Sequence, residues 1–545
     1  MARRMRWWGW GTDAAAGVLP PAALPLLREE LGVGGEVRGP VALDEVELAP
    51  VALAEPVLDR VRALAAVRTD HEARVLHAAG KGYVDLVRLR AGRPDGAPDA
   101  VVAPADADGV AAVLALCAAE RIAVVPFGGG TSVVGGLTPV REGFAGVVSL
   151  DLGGLDELLR VDERSGTATV QAGVQGPELE RLLGARGHTL GHFPQSFEYV
   201  SIGGCVATRS AGQASTGMGR IDALVTGLRC ATPSGAWDLA ARPASAAGPD
   251  LRELLMGSEG TLGVITEATL RVRPVPASDR YEGWMVPSFA AGVEALRELE
   301  QAGAAPDVAR LSDADETRLS LALSGATDGT KGDLLGRYLG ARGVEGGCLI
   351  VVGWLGDPDA ITRRRERAGA ALRRAGGAGL GPSAGRSWEH GRYHGPYLRD
   401  HLLDHGVMAE TLETATTWEN AFALHAAVAD ALRGALQARG TPALVGCHVS
   451  HLYPSGCSLY FTFLARQERG AEIEQWAAAK RAASEAIVGQ AATITHHHAV
   501  GTDHAPYLEA EAGALGVAAL RAVKAEIDPT GVMNPGKLLP ADRAG

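Results

Sequence analysis

Several things that this chain of 545 residues lacks narrow its function. Its six cysteines (Cys117, Cys205, Cys230, Cys348, Cys447, Cys457) lie far apart and form no C-x-x-C pair. That excludes a disulfide-stapled scaffold and a zinc ribbon, and makes reduced, buried thiols in a cytoplasmic protein the expectation. No apolar run approaches the roughly 18 residues of a membrane span. Trp7-Trp8-Gly9-Trp10-Gly11-Thr12-Asp13 interrupts any leader-like apolar stretch, and these tryptophans are expected to pack into a core or a subunit contact. Lysine is scarce and the formal net charge is −12, which argues against nucleic acid as a partner. No Rossmann G-x-G-x-x-G or Walker G-x-x-x-x-G-K-[ST] pattern occurs at its glycine patches, and no tandem repeat or coiled-coil heptad is present.

Glycine, in contrast, is abundant at 72 residues. Pro126-Phe127-Gly128-Gly129-Gly130-Thr131-Ser132 follows the apolar run Ile122 to Val125, which reads as a buried strand. Three glycines let the backbone turn and approach a ligand. Successive N–H groups there, with two hydroxyls, suit a diphosphate. Small-residue patches recur at 201–209 and 257–266.

The chain from about residue 97 to Pro274-Val275-Pro276 reads as α/β. Strands are expected near 101–103, 147–150, 168–172 and 264–272, with a hairpin around Pro233-Ser234-Gly235. Helices are expected at Gly109–Glu120, capped by Asp106 or Asp108, and from Pro177 to about Arg186. Residues 277–500 change to strands near 281–286, 348–353 and 458–463 among long amphipathic helices, an α+β layer. A helix over 512–527 closes the chain.

Together these patches, their order and the chain length resemble the vanillyl-alcohol-oxidase type of FAD-binding fold. Within it the sequence is similar to the alkyldihydroxyacetonephosphate synthases. The likeness rests on Pro126–Ser132, Gln195–Ser201, Gly257–Thr266, Pro396-Tyr397-Leu398-Arg399-Asp400 and His496-His497-His498. It implies an α+β protein: a two-subdomain FAD-binding domain at 96–276 and a cap at 277–505 with an antiparallel sheet covered by helices. Segments 1–95 and 506–545 flank them. The resemblance implies FAD contacts from Pro126, Phe127, Gly128, Gly129, Gly130, Thr131 and Ser132. Further contacts are expected from Gln195, Ser196, Phe197, Glu198, Tyr199, Val200, Ser201, Gly203 and Gly204. Thr208, Arg209, Ser210 and Ala211 join them, with Glu259, Gly260, Thr261, Leu262, Gly263, Val264 and Ile265. With no histidine in the first loop, the FAD is expected to be non-covalent.

By the same likeness Tyr460 is the acid/base, which requires a lowered phenol pKa. His496, His497 and His498 line the site, Arg399 clamps a phosphate, and Arg242 and His451 bind substrate. Arg242 matches at a spacing two residues too long. Blandly, Tyr460 is a sheet-core tyrosine, Arg399 a structural partner of Asp400 or Asp404, and the histidines satisfied core groups. No metal is expected: adjacent side chains of a strand point to opposite faces, so three consecutive histidines would not converge. The implied reaction exchanges the acyl chain of acyl-dihydroxyacetone phosphate for a fatty alcohol without net redox. A homodimer with peripheral membrane contact is expected. The alternatives are an FAD-linked D-2-hydroxyacid dehydrogenase and a non-catalytic flavin-binding protein. The former typically carries His-x-Gly-Asp-Gly-Asn-x-His and Glu-His-Gly runs that this chain lacks.

Overall fold

The computed structural model describes residues 4–13, 19–326 and 329–541. Residues 98–274 build two sheets. Ile122–Phe127 lies parallel to Gly146–Asp151, which lies parallel to Ala100–Ala103; Ala66–Arg68 adds an antiparallel edge. The two inner strands are near-continuous apolar runs, as strands covered on both faces must be. Between them runs helix Ala107–Glu120, whose first turn is capped by the Asp106 carboxylate (Gly109 N–H donating at 2.8 Å). The second sheet is antiparallel, ordered Leu158–Asp162, Thr167–Gln171, Val264–Arg271, Val225–Thr232 and Gly235–Leu239. The expected hairpin is present.

An eight-stranded antiparallel sheet forms the cap. From edge to edge it runs Ala378–Gly381, Ser278–Val286, Cys348–Gly356, Val308–Ser312, Ala443–Val449, Gly456–Arg466 and Val407–Thr417, and Leu452–Tyr453 pairs with Gly456–Arg466. Helices Phe289–Gln301, Pro358–Arg374, Ala421–Ala438 and Glu472–Gly489 supply apolar residues to one core with it. The sequence pattern missed Val407–Thr417, an eleven-residue strand containing two glutamates and four threonines. Its register partner is apolar enough to be recognised; this strand is not.

The chain ends stitch the parts together. The Arg6 guanidinium and the Trp10 N–H both donate to the buried Asp400 carboxylate at 2.8 Å, and Trp8 is covered by the guanidinium of Arg6. The tryptophans therefore pack intramolecularly. At the other end Leu508–Ile527 is broken by Gly513 (φ 72°), and Asn534 donates from its backbone to Val124 and from its side chain to the Glu259 carbonyl.

Candidate active site

A cavity of about 1840 Å³ is bounded by the glycine patches and the cap sheet. Single-ligand pockets hold roughly 300–1,000 Å³, so there is room for a cofactor and a second ligand. At its head is the first loop, with Gly130 at φ 71°. A Cβ on Gly129 would meet the Tyr199 carbonyl oxygen at 1.9 Å, so two backbones touch here in a way only glycine allows. Among the described residues, the N–H groups of 128–132 find no acceptor within the chain. Unpaired amides in a concave loop are an anion site waiting for its ligand. The second patch adds Ser201, which caps helix Ile202–Ala207. In the third, Gly260 (φ 75°) lies flat against the Pro126 ring.

The cap sheet contributes a row of four residues in cross-strand register: Ser312, His448, Tyr460 and Glu413. Registered neighbours share a face. Tyr460 stacks on His448 with centroids 4.8 Å apart, and its hydroxyl lies 3.5 Å from Gln195 Oε1. Glu413, 2% exposed, accepts the backbone N–H of His496 (2.5 Å), His497 (3.0 Å) and His498 (2.8 Å), and the Thr495 hydroxyl (2.6 Å). The histidine run thus wraps around a carboxylate. It is a bent loop, not the strand expected from sequence, so its rings fan out. His497 and His498 stand 6.0 and 5.6 Å from the Tyr460 ring.

Comparison with known proteins follows the same division. The family model "FAD binding domain" matches residues 98–238, and "FAD linked oxidases, C-terminal domain" matches 275–538. Alkyldihydroxyacetonephosphate synthase of Dictyostelium discoideum is 32% identical over 99% of this chain and 94% of its own length. The chain belongs to the alkyldihydroxyacetonephosphate synthase family. The Trypanosoma brucei brucei synthase is 34% identical over 91% of this chain and 82% of its own. A solved alkyldihydroxyacetonephosphate synthase structure superposes with a TM-score of 0.84, at 29% identity and 98% coverage of both chains. FAD is therefore the cofactor, and the unpaired amides of the first loop fit its diphosphate.

Not every family-based assignment reaches the cavity. Phe127, Gln195, Ser196, Val200, Thr208, Ser210, Ala211, Glu259, Gly263, Val264, Ile265, Arg399, Tyr460, His497 and His498 line it, together with Gly128, Gly129, Gly130, Gly203, Gly204 and Gly260. Arg242 does not: it sits in the exposed stretch 240–250. Arg209 instead pairs with Asp222 and Glu253 away from the cavity. Phe197 packs on Phe193 and Tyr393, Glu198 accepts the Tyr397 hydroxyl, and Thr261 and Leu262 are buried behind the wall. His451 and His496 lie one layer back, bonded to Ser215 and Tyr453.

Arg399 pairs with Glu410 (3.2 Å), while Asp400 and Asp404 take Arg6 and Arg90. Sequence reasoning missed Arg310, which lines the cavity and donates to His448 Nε2 (3.1 Å) and to Glu316 (3.0 Å). It also missed Glu413, whose one sequence signal is a carboxylate in the middle of a strand.

Burial pushes the Tyr460 phenol up to about 12, the reverse of the lowering the sequence reading required. It is a protonated donor at neutral pH. Burial lowers His497, and takes His498 down to about 3, so both rings are neutral. Burial opposes the charge on Glu413 too, but attraction to the adjacent imidazoles as they take up protons in acid, with the Thr495 hydroxyl, outweighs it and holds the carboxyl well below its usual range. The three peptide N–H groups favour the same anion.

Proposed function

We propose that this protein exchanges the acyl chain of an acyl-dihydroxyacetone phosphate for a fatty alcohol, as the name of its relatives implies. The observation that carries the reading is a guanidinium, a protonated phenol and two neutral imidazoles converging in one cavity beside a cofactor cradle. Bound FAD, in its reduced form, would supply a nucleophilic ring nitrogen that activates the substrate carbon without net electron transfer. Arg399 receives the substrate phosphate on its planar fork, in competition with Glu410. The Tyr460 O–H donates to the oxygen of the leaving carboxylate. His498, with Nδ1 3.7 Å from Glu413, has Nε2 left to take the proton from the substrate carbon; Glu413 stabilises the imidazolium, the proton of the incoming alcohol leaves with the released fatty acid by way of Tyr460, and His498 returns its proton to the carbon after the alcohol adds.

The cavity mouth supports a lipid substrate. Leu334, on helix Gly329–Ala341, lines it and is 69% exposed. Peripheral contact with a lipid surface, a homodimeric state and cytoplasmic residence complete the proposal. No helix among the described residues is long and apolar enough to cross a membrane. Liposome co-sedimentation and sedimentation velocity test the first two.

The deciding experiment is an anaerobic assay of the purified flavoprotein with palmitoyl-dihydroxyacetone phosphate and hexadecanol. Fatty acid release with an ether product is expected. Flavin bleaching by D-lactate or glycolate, with no ether formed, would overturn the reading in favour of a hydroxyacid dehydrogenase.

A further inference from the structure

The histidine run has a second consequence, set by its outward-facing ring nitrogens. Because the loop bends around Glu413, His496 and His497 point towards each other, with their Nδ1 atoms 2.9 Å apart. His451, from the turn after strand Ala443–Val449, stacks on His496 at 4.9 Å and meets His497 edge-on at 5.4 Å. Each of the three offers one ring nitrogen, and the three nitrogens lie within 4.8 Å of one another. His451 and His496 are buried and His497 is nearly so.

Two unprotonated nitrogens at 2.9 Å repel, so this approach demands a shared proton or a shared cation. Two features favour a cation. The first is the third nitrogen, which a simple hydrogen bond between two rings does not need. The second is the outer partners. Ser215 Oγ holds His451 Nδ1 at 2.5 Å and the Tyr453 hydroxyl holds His496 Nε2 at 2.5 Å, so that His451 Nε2 and His496 Nδ1 are the nitrogens left for the cluster. An oxygen accepting the outer N–H is the usual way of fixing a metal-binding tautomer. Glu413, 3.6 Å from His497 Nδ1, adds negative charge nearby. Arg220, whose field opposes a cation, is itself paired with Asp222 at 3.1 Å.

We propose that His451, His496 and His497 form a three-histidine site for one divalent transition-metal ion. Imidazole donors without carboxylate or thiolate select zinc-like ions over magnesium or calcium. Loading it occupies His497 beside Tyr460, so the metal is an inhibitor of the cavity chemistry; that consequence rests on the function proposed above.

The test is titration of the EDTA-treated, FAD-loaded full chain with Co²⁺ and Zn²⁺, read by calorimetry and by cobalt d–d absorption beyond the flavin bands. One ion per chain is expected, with binding lost in His451→Ala and in His496→Ala. Ser215→Ala, which leaves all three rings in place, is expected to weaken it about tenfold. Retained flavin content and an unchanged melting curve report that each variant is folded. No saturable binding by the wild-type chain, or undiminished binding in folded His451→Ala, would overturn the site. Because this readout involves no turnover, its failure is separable from failure of the synthase assay. A loaded site that leaves turnover unchanged would overturn the inhibitory role.

Discussion

Tyr460 and Glu413 occupy paired positions on adjacent antiparallel strands, and the carboxylate beside the phenol is the one that binds three consecutive peptide N–H groups. One ladder position therefore sets both the acid and the loop that carries its imidazole neighbours. The site inherits its geometry from strand register.

Tyr460→Phe removes the donor and keeps the ring stacked on His448. Ether formation is expected to fall by about 10²–10⁴-fold, the usual contribution of a positioned acid or base. The flavin absorption spectrum should be unchanged, and a variant that loses flavin would contradict a purely chemical role.

Glu413→Gln turns one of two acceptor oxygens into a donor facing N–H groups. At least one peptide N–H of the histidine run is then left unsatisfied while buried, at a cost of about 1–3 kcal/mol. Urea denaturation is expected to show a lower midpoint at unchanged m-value, and turnover should fall with it.

Acid should weaken the fold through its buried histidines. Burial lowers His192 to about 4 and His498 and His504 to about 3. Below the ordinary value near 6.5 the unfolded chain binds protons that the folded chain refuses. Stability is therefore complete above pH 6.5 and declines as pH falls from there towards 3. Each such group steepens the loss by up to about 1.4 kcal/mol per pH unit. Melting temperatures measured across pH 7 to 4 should fall, and His504→Asn should flatten the curve.

Gly129→Ala places a Cβ against the backbone carbonyl of Tyr199, which has no side chain to move aside. The purified variant is expected to lose its yellow colour, read as the ratio of absorbance at the flavin band to that of protein. Full flavin occupancy would show that this close approach is not needed.

The two arginines assigned from sequence should separate cleanly. Arg399→Lys keeps the charge and loses the planar fork, and a rise in KM of roughly tenfold or more is expected, with a smaller change in kcat. Arg242→Ala, on an exposed stretch, should leave both constants within about a factor of two.

The amino-acid sequence by itself determined the secondary structure around the glycine loops, the α+β cap, and the FAD-binding family. Those signals are local: an apolar run before three glycines, a cap before a helix, a proline at a first turn. Tyr460 was legible because its strand alternates. What only the tertiary structure decided is how groups distant in the chain meet. Strand pairing set Glu413 opposite Tyr460, and that buried carboxylate, drawing in three amides, bent a histidine run that local pattern alone reads as extended. Arg310 reached the cavity because its strand, Val308–Ser312, pairs into the cap sheet, a pairing that no short window of sequence specifies.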